Sequence, residues 1–111
     1  DSQVRFNDFV SDFRKVNGVT ESDIEIVAPA IWRRHGNEAF EVLKIMMEDS
    51  KNLQRIFPEL DLTLGECLYI IKNEMVEKSE DLWRRRTALD LVRTKEEISK
   101  NPLVQHINAI I

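Results

Sequence analysis

The sequence predicts an all-α fold, a compact bundle of six or seven short helices in a single domain over residues 1–111, and three observations predict it. Apolar residues recur at spacings of three and four along most of the chain. No segment alternates apolar and polar residues over more than a few positions. Three Gly and three Pro in 111 residues are too few for the dense turns of a β-sandwich or barrel.

Phe6, Phe9, Val10, Phe13 and Val16 form one stripe, predicting a helix over 3–17 that Gly18 ends in a left-handed cap. Thr20 and Asp23 have capping-box spacing and open a segment through Ile24, Val27, Ile31 and Trp32. Pro29 falls inside it, so a kink or a junction of two short helices is expected near residue 28, and Gly36 ends the segment. Asn37 is a candidate cap for a helix carrying Phe40, Leu43, Met46 and Met47. A looser stretch from Asp49 to Asn52 leads to a turn around Leu53, Ile56 and Phe57, closed by Pro58. Thr63 and Glu66 form the best capping box in the sequence, ahead of a stripe of Leu64, Cys67, Leu68, Ile71 and Met75. After a break at Lys78-Ser79, a helix with Leu82, Trp83, Leu89 and Val92 is predicted. Thr94 with Glu97 caps a short helix containing Ile98. Asn101-Pro102 starts the last one, with Leu103, Ile107, Ile110 and Ile111 inward.

Composition bounds the function. With 16 Lys and Arg against 20 Asp and Glu, the formal charge is −4, which argues against a non-specific nucleic-acid binder. The few glycines leave no phosphate-cradling loop. A lone Cys67 cannot form an internal disulfide, which suggests a reducing compartment, and no apolar run reaches the roughly 18 residues of a membrane span. The opening Asp1-Ser2-Gln3 has no signal-peptide pattern, and the apolar end Ile110-Ile111 is unusual, so a domain cut from a longer polypeptide is expected.

No constellation of residues names a reaction, so no catalytic, cofactor-binding or metal-binding residue is assigned. His35 and His106 lie far apart in sequence and neither sits beside a candidate nucleophile; favourable charge at a helix C-terminus suffices for His35. Cys67, on an apolar stripe, reads as packing. Arg84-Arg85-Arg86 after Trp83 is the densest basic spot. Consecutive helical positions fan across roughly 200°. One or two of these arginines are expected to pair with carboxylates of a neighbouring helix while the rest stay solvated.

One region says more. Tyr69, then Glu74-Met75, then Glu80-Asp81, then Arg85-Arg86-Thr87 follow without a gap, and upstream Trp32-Arg33-Arg34-His35-Gly36-Asn37-Glu38-Ala39 and Pro58-Glu59-Leu60 complete a pattern. It resembles the C-terminal helical domain of FAD-dependent glycerol-3-phosphate dehydrogenases and alpha-glycerophosphate oxidases, over roughly residues 24–92. Asn73 stands where the family usually has His, and Lys78 where it has Thr, so Ser79 is expected to take over that cap. Residues 1–20 and 94–111 match nothing in the pattern.

The resemblance implies a parent enzyme that oxidises sn-glycerol 3-phosphate to dihydroxyacetone phosphate, with FAD accepting the hydride and quinone or oxygen reoxidising it. The flavin fold and substrate residues would precede this domain, which would be a non-catalytic cap on that body. A cytoplasmic location is implied, with the parent peripheral at the inner membrane face, and a homo-oligomer is one possible arrangement. Within the motif, Glu74 is expected to pair with Arg85 or Arg86 beneath Trp83 and Tyr69, making Tyr69, Glu74, Met75, Asp81, Arg85, Arg86 and Thr87 its structural residues. The alternative is a stand-alone interaction module or a helix-turn-helix over 63–92 that places Arg84 to Arg86 on DNA phosphates.

Overall fold

The computed structural model describes all 111 residues. It is all-α: six α-helices joined by π and 3-10 turns, with one isolated antiparallel bridge, Arg55 to Thr63. The helices are α1 (Ser2–Phe13), α2 (Ala28–His35), α3 (Ala39–Glu48), α4 (Leu64–Asn73), α5 (Lys95–Lys100) and α6 (Pro102–Ile110). The chain divides into two compact units, 1–66 and 67–111.

In the first unit, Asp1 caps α1 by accepting from the Val4 amide at 2.9 Å. The helix stops at Phe13, short of the predicted residue 17, and residues 14–18 form turns that end at Gly18 with φ +86°. Val16 is nonetheless buried from this turn, so the apolar spacing located the core even where the helix had ended.

The Thr20–Asp23 capping box closes in both directions at 3.1 Å. It opens a π turn, Asp23–Val27, which runs into α2 with Pro29 in the first turn of that helix. The Ala28 amide reaches the Asp23 carbonyl, five residues back. Proline has no N–H and its ring crowds the carbonyl four residues before it, so the wider turn takes up the misfit and the helical path continues. This is the junction that Pro29 predicted.

Gly36, at φ +56°, ends α2 and donates its amide to the Trp32 carbonyl. Asn37 does not cap α3. It lies inside a 3-10 turn, Gly36–Glu38, and its Oδ1 accepts from Arg5 Nε at 2.6 Å, while α3 begins after Glu38 with no side-chain cap. Helix α3 buries Ala39, Val42, Leu43 and Met46, whereas Met47 is half exposed. The rings of Phe6, Phe9, Phe13, Trp32 and Phe40 pack with centroids 5.6 to 6.0 Å apart, which ties α1 to α2 and α3.

A loop then returns the chain toward α4. The Ile56 amide bonds the Leu62 carbonyl at 2.9 Å and the Leu64 amide bonds the Gln54 carbonyl at 2.8 Å. Asn52 is buried, with Nδ2 on the Ile45 carbonyl at 2.7 Å.

In the second unit, α4 buries Cys67, Tyr69 and Ile70. Met75, expected on this stripe, is 82% exposed: α4 ends at Asn73, and Met75 is left-handed at φ +52°. The predicted helix over Leu82 to Val92 is replaced by a π turn, Asp81–Arg86, and a 3-10 turn, Leu89–Leu91. Ala88 between them is left-handed at φ +54°, which breaks the helical run, and Val92 is exposed. Ser79 lies inside the helical entry to the π turn, so it does not take the cap position expected of it.

The Thr94–Glu97 capping box forms as predicted. Asn101 caps α6, accepting from the Leu103 and Val104 amides at 2.9 and 3.0 Å, and Pro102 sits in its first turn. Val104 and Ile107 are buried, and Ile110, predicted inward, is half exposed.

Candidate functional site

Two clusters carry the chain's notable side chains, one in each unit. The first joins the end of α2 to the start of α4. The Thr63 hydroxyl accepts the Glu66 amide at 3.3 Å, which is half of the predicted capping box. The other half is not the Glu66 carboxylate's principal role. That carboxylate takes a bidentate pair from Arg34, Nε at 2.8 Å and Nη2 at 2.6 Å, and lies 2.8 Å from His35 Nε2.

Glu66 is 1% exposed. Burial works to raise its pKa, but hydrogen bonds from His35 and Arg34 and their attraction outweigh it, and the carboxyl stays below its ordinary value of 4.5. Burial likewise works to lower the Arg34 pKa, but the bonds and attraction from Glu66 and Asp61 outweigh it and hold the pKa above its ordinary value. Asp61 Oδ1 binds Arg34 Nη1 at 2.9 Å, and Arg33 stands 3.8 Å from the other Asp61 oxygen.

A charge at the end of a helix accounts for only part of His35. The sequence places His35 and Glu66 at separate helix ends, and only the tertiary fold brings them together. The one local signal was an acidic residue at the third position of a helix, which fits a capping box equally well.

The second cluster holds the motif residues. Arg86 Nη1 lies 3.5 Å from Glu74 Oε1, with the two side chains 46% and 35% exposed, so the expected pair forms with Arg86 as a half-exposed contact. Arg85 pairs with Asp81 of its own turn and Arg84 with Asp90, each at 3.8 Å. Only Arg86 and Arg84 reach carboxylates outside their own turn, and Arg84 and Arg85 stay mostly solvated, in line with the one or two pairs expected. The Thr87 hydroxyl donates to the Leu82 carbonyl at 2.9 Å, closing the π turn from its C-terminal side. Tyr69 is buried, and its carbonyl accepts from Asn73 Nδ2.

Trp83 is buried, and its indole N–H donates to Asn108 Oδ1 on α6 at 2.8 Å. Beside it lies a cleft of ≈ 300 Å³ floored by Trp83, Ile98 and Val104 and rimmed by Arg84, Asp90 and Lys95.

Neither cluster sets a nucleophile against a base. Cys67 is buried, and no three His, Cys, Asp or Glu side chains converge as a metal site would require. No helix is long and apolar enough to cross a membrane. The helix-turn-helix alternative requires a recognition helix after the turn, and residues 81–91 supply only a π turn and a 3-10 turn.

Among known families, the profile described as the C-terminal domain of alpha-glycerophosphate oxidase matches residues 10–109. The match reaches past residues 24–92 on both sides, so residues 10–20 and 94–109, which carried no recognisable motif, fall within it as well. No curated protein and no solved structure matches the chain significantly.

Proposed function

The chain belongs to the family of alpha-glycerophosphate oxidase C-terminal domains, and from that premise we propose that it serves an FAD-dependent glycerol-3-phosphate dehydrogenase or oxidase as a non-catalytic cap. The parent would convert sn-glycerol 3-phosphate to dihydroxyacetone phosphate and pass electrons to quinone or oxygen. The domain's partner would be the FAD- and substrate-binding body of the same polypeptide, in a cytoplasmic enzyme peripheral at the inner membrane face. The observation that carries the reading is the match over residues 10–109.

The residues of this chain do not fit a flavin site of their own. A dinucleotide cradle needs glycines at a strand-to-helix turn, where backbone amides can meet the pyrophosphate. The three glycines here serve other ends. Gly18 makes a turn, Gly36 terminates α2, and Gly65 packs within α4 against Met46 and Asn52. On this reading the flavin chemistry belongs to the rest of the parent, and this domain contributes support.

The test is glycerol-3-phosphate oxidation with a dye acceptor and added FAD, by the full-length parent and by the parent lacking residues 1–111. Activity in the full-length protein is expected, with loss of both activity and bound flavin on truncation. An inactive full-length protein would overturn the assignment, and a truncated protein with full activity and flavin would overturn the supporting role.

A further inference from the structure

Of the 20 acidic residues, Glu66 is the one whose carboxylate is sealed in the fold and held by two cationic or protonated side chains of another helix. Its charge is placed where both helices favour it. Glu66 sits in the first turn of α4, and Arg34 and His35 sit in the last turn of α2. We propose that this cluster is an acid-sensitive latch: ionised, Glu66 clamps the first turn of α4 to the end of α2, and protonated, it loosens that turn and the 54–63 loop while α1 to α3 hold.

The groups facing Glu66 are the Arg34 guanidinium and the His35 ring from α2, with Asp61 of the loop and Arg33 behind Arg34. They differ in what a proton does to the latch. Asp61 binds Arg34 from outside, so protonating it leaves both Arg34 bonds to Glu66 in place. A proton on Glu66, by contrast, removes the negative charge that the bidentate pair requires. The apolar core between α1 and α3, with Phe9, Phe13, Ile31, Val42 and Met46, does not titrate; the other buried acid of this unit, Asp23, lies ahead of α2, where it accepts from the Thr20 amide and Arg55.

The sign follows from linkage. The folded carboxyl is a stronger acid than the unfolded one, so the latch contributes fully above 4.5 and is lost as pH falls through the lower folded value.

The experiment is amide hydrogen exchange of the 111-residue chain from pH 6.5 down to 3, corrected for intrinsic rates, alongside the carbon-13 titration of the Glu66 carboxyl. In the wild-type chain, protection of the first two turns of α4 relative to α1 is expected to fall by up to about tenfold per pH unit between about 4.5 and the folded Glu66 midpoint, and to level off below it. In Glu66→Gln, a neutral isostere, α4 should be weakly protected throughout, with no such step. Three results would overturn the latch: parallel loss of protection in α1 and α4, the same step in Glu66→Gln, or a loss that continues more than a pH unit below the carboxyl midpoint. If Glu66→Gln does not fold, the wild-type comparison of where the loss ends with the carboxyl midpoint decides alone.

Discussion

Replacing Gly65 with alanine sets two effects of opposite sign against each other. In an unconstrained helix interior, Gly→Ala stabilises by about 0.5 to 1 kcal/mol, because alanine loses less backbone entropy on folding. At Gly65 a methyl would stand 2.9 Å from Met46 Cγ, 3.0 Å from the Asn52 carbonyl oxygen and 3.3 Å from Asn52 Cβ. None of these atoms can move easily. Cγ lies near the root of a fully buried side chain, and the Asn52 backbone is fixed in a 3-10 turn whose side chain is tied to Ile45. Overpacking of this kind costs about 1 to 3 kcal/mol. The net expectation is a loss of about 1 to 2 kcal/mol, or roughly 5 to 10 °C in Tm for a chain of this size. Urea and thermal denaturation followed by circular dichroism would measure it. In a Met46→Ala background the added cost should shrink, since one of the clashing atoms is gone. A neutral or stabilising Gly65→Ala would refute the packing argument.

Glu66→Ala should cost about 3 kcal/mol at neutral pH, because it leaves Arg34 and His35 facing an emptied, largely buried site; a urea midpoint within error of wild type would contradict this. Glu74→Ala breaks only a half-exposed 3.5 Å contact and should cost under about 1 kcal/mol, and a larger measured loss would mean the pair is better shielded than its exposure indicates. Asn101→Ala removes the acceptor for two α6 amides and should cost about 1 kcal/mol by denaturant titration, with increased exchange at Leu103 and Val104 as the local signature. Met75→Gly relieves a left-handed non-glycine residue whose side chain is mostly exposed, so a gain of up to about 1 kcal/mol is expected and a loss would show that the exposed thioether makes a stabilising contact.

What the sequence revealed was short in range. The boxes at Thr20–Asp23 and Thr94–Glu97 and the Asn101-Pro102 start each depend on residues within three positions of one another, and all three are present. Pro29 likewise acts on its own turn. The failures come from competition or distance. Leu82, Trp83, Leu89 and Val92 suggested a continuing helix, but Thr87 turns its hydroxyl onto the Leu82 carbonyl and Ala88 goes left-handed, so local side-chain bonding prevailed over periodicity. Asn37 is a good cap by type, yet Arg5, 32 residues earlier, takes its oxygen. In the candidate site, the Glu74–Arg86 pair was legible because one short turn separates its halves, whereas for Glu66 only the bond of its amide to Thr63 was legible, because the partners of its carboxylate lie 31 and 32 residues away.

The π turns at Asp23–Val27 and Asp81–Arg86 bear on how this chain should be compared with its relatives. A π turn holds one more residue than the α turn it replaces while leaving the helix beyond it on the same side. A relative one residue shorter at the first of them can therefore keep Ile31 inward by winding normally, since α2 continues directly from that turn. A single-residue gap in an alignment there belongs inside the helical stretch, and moving it out to the loop after α2 would set the apolar positions of that helix out of phase by about 100°.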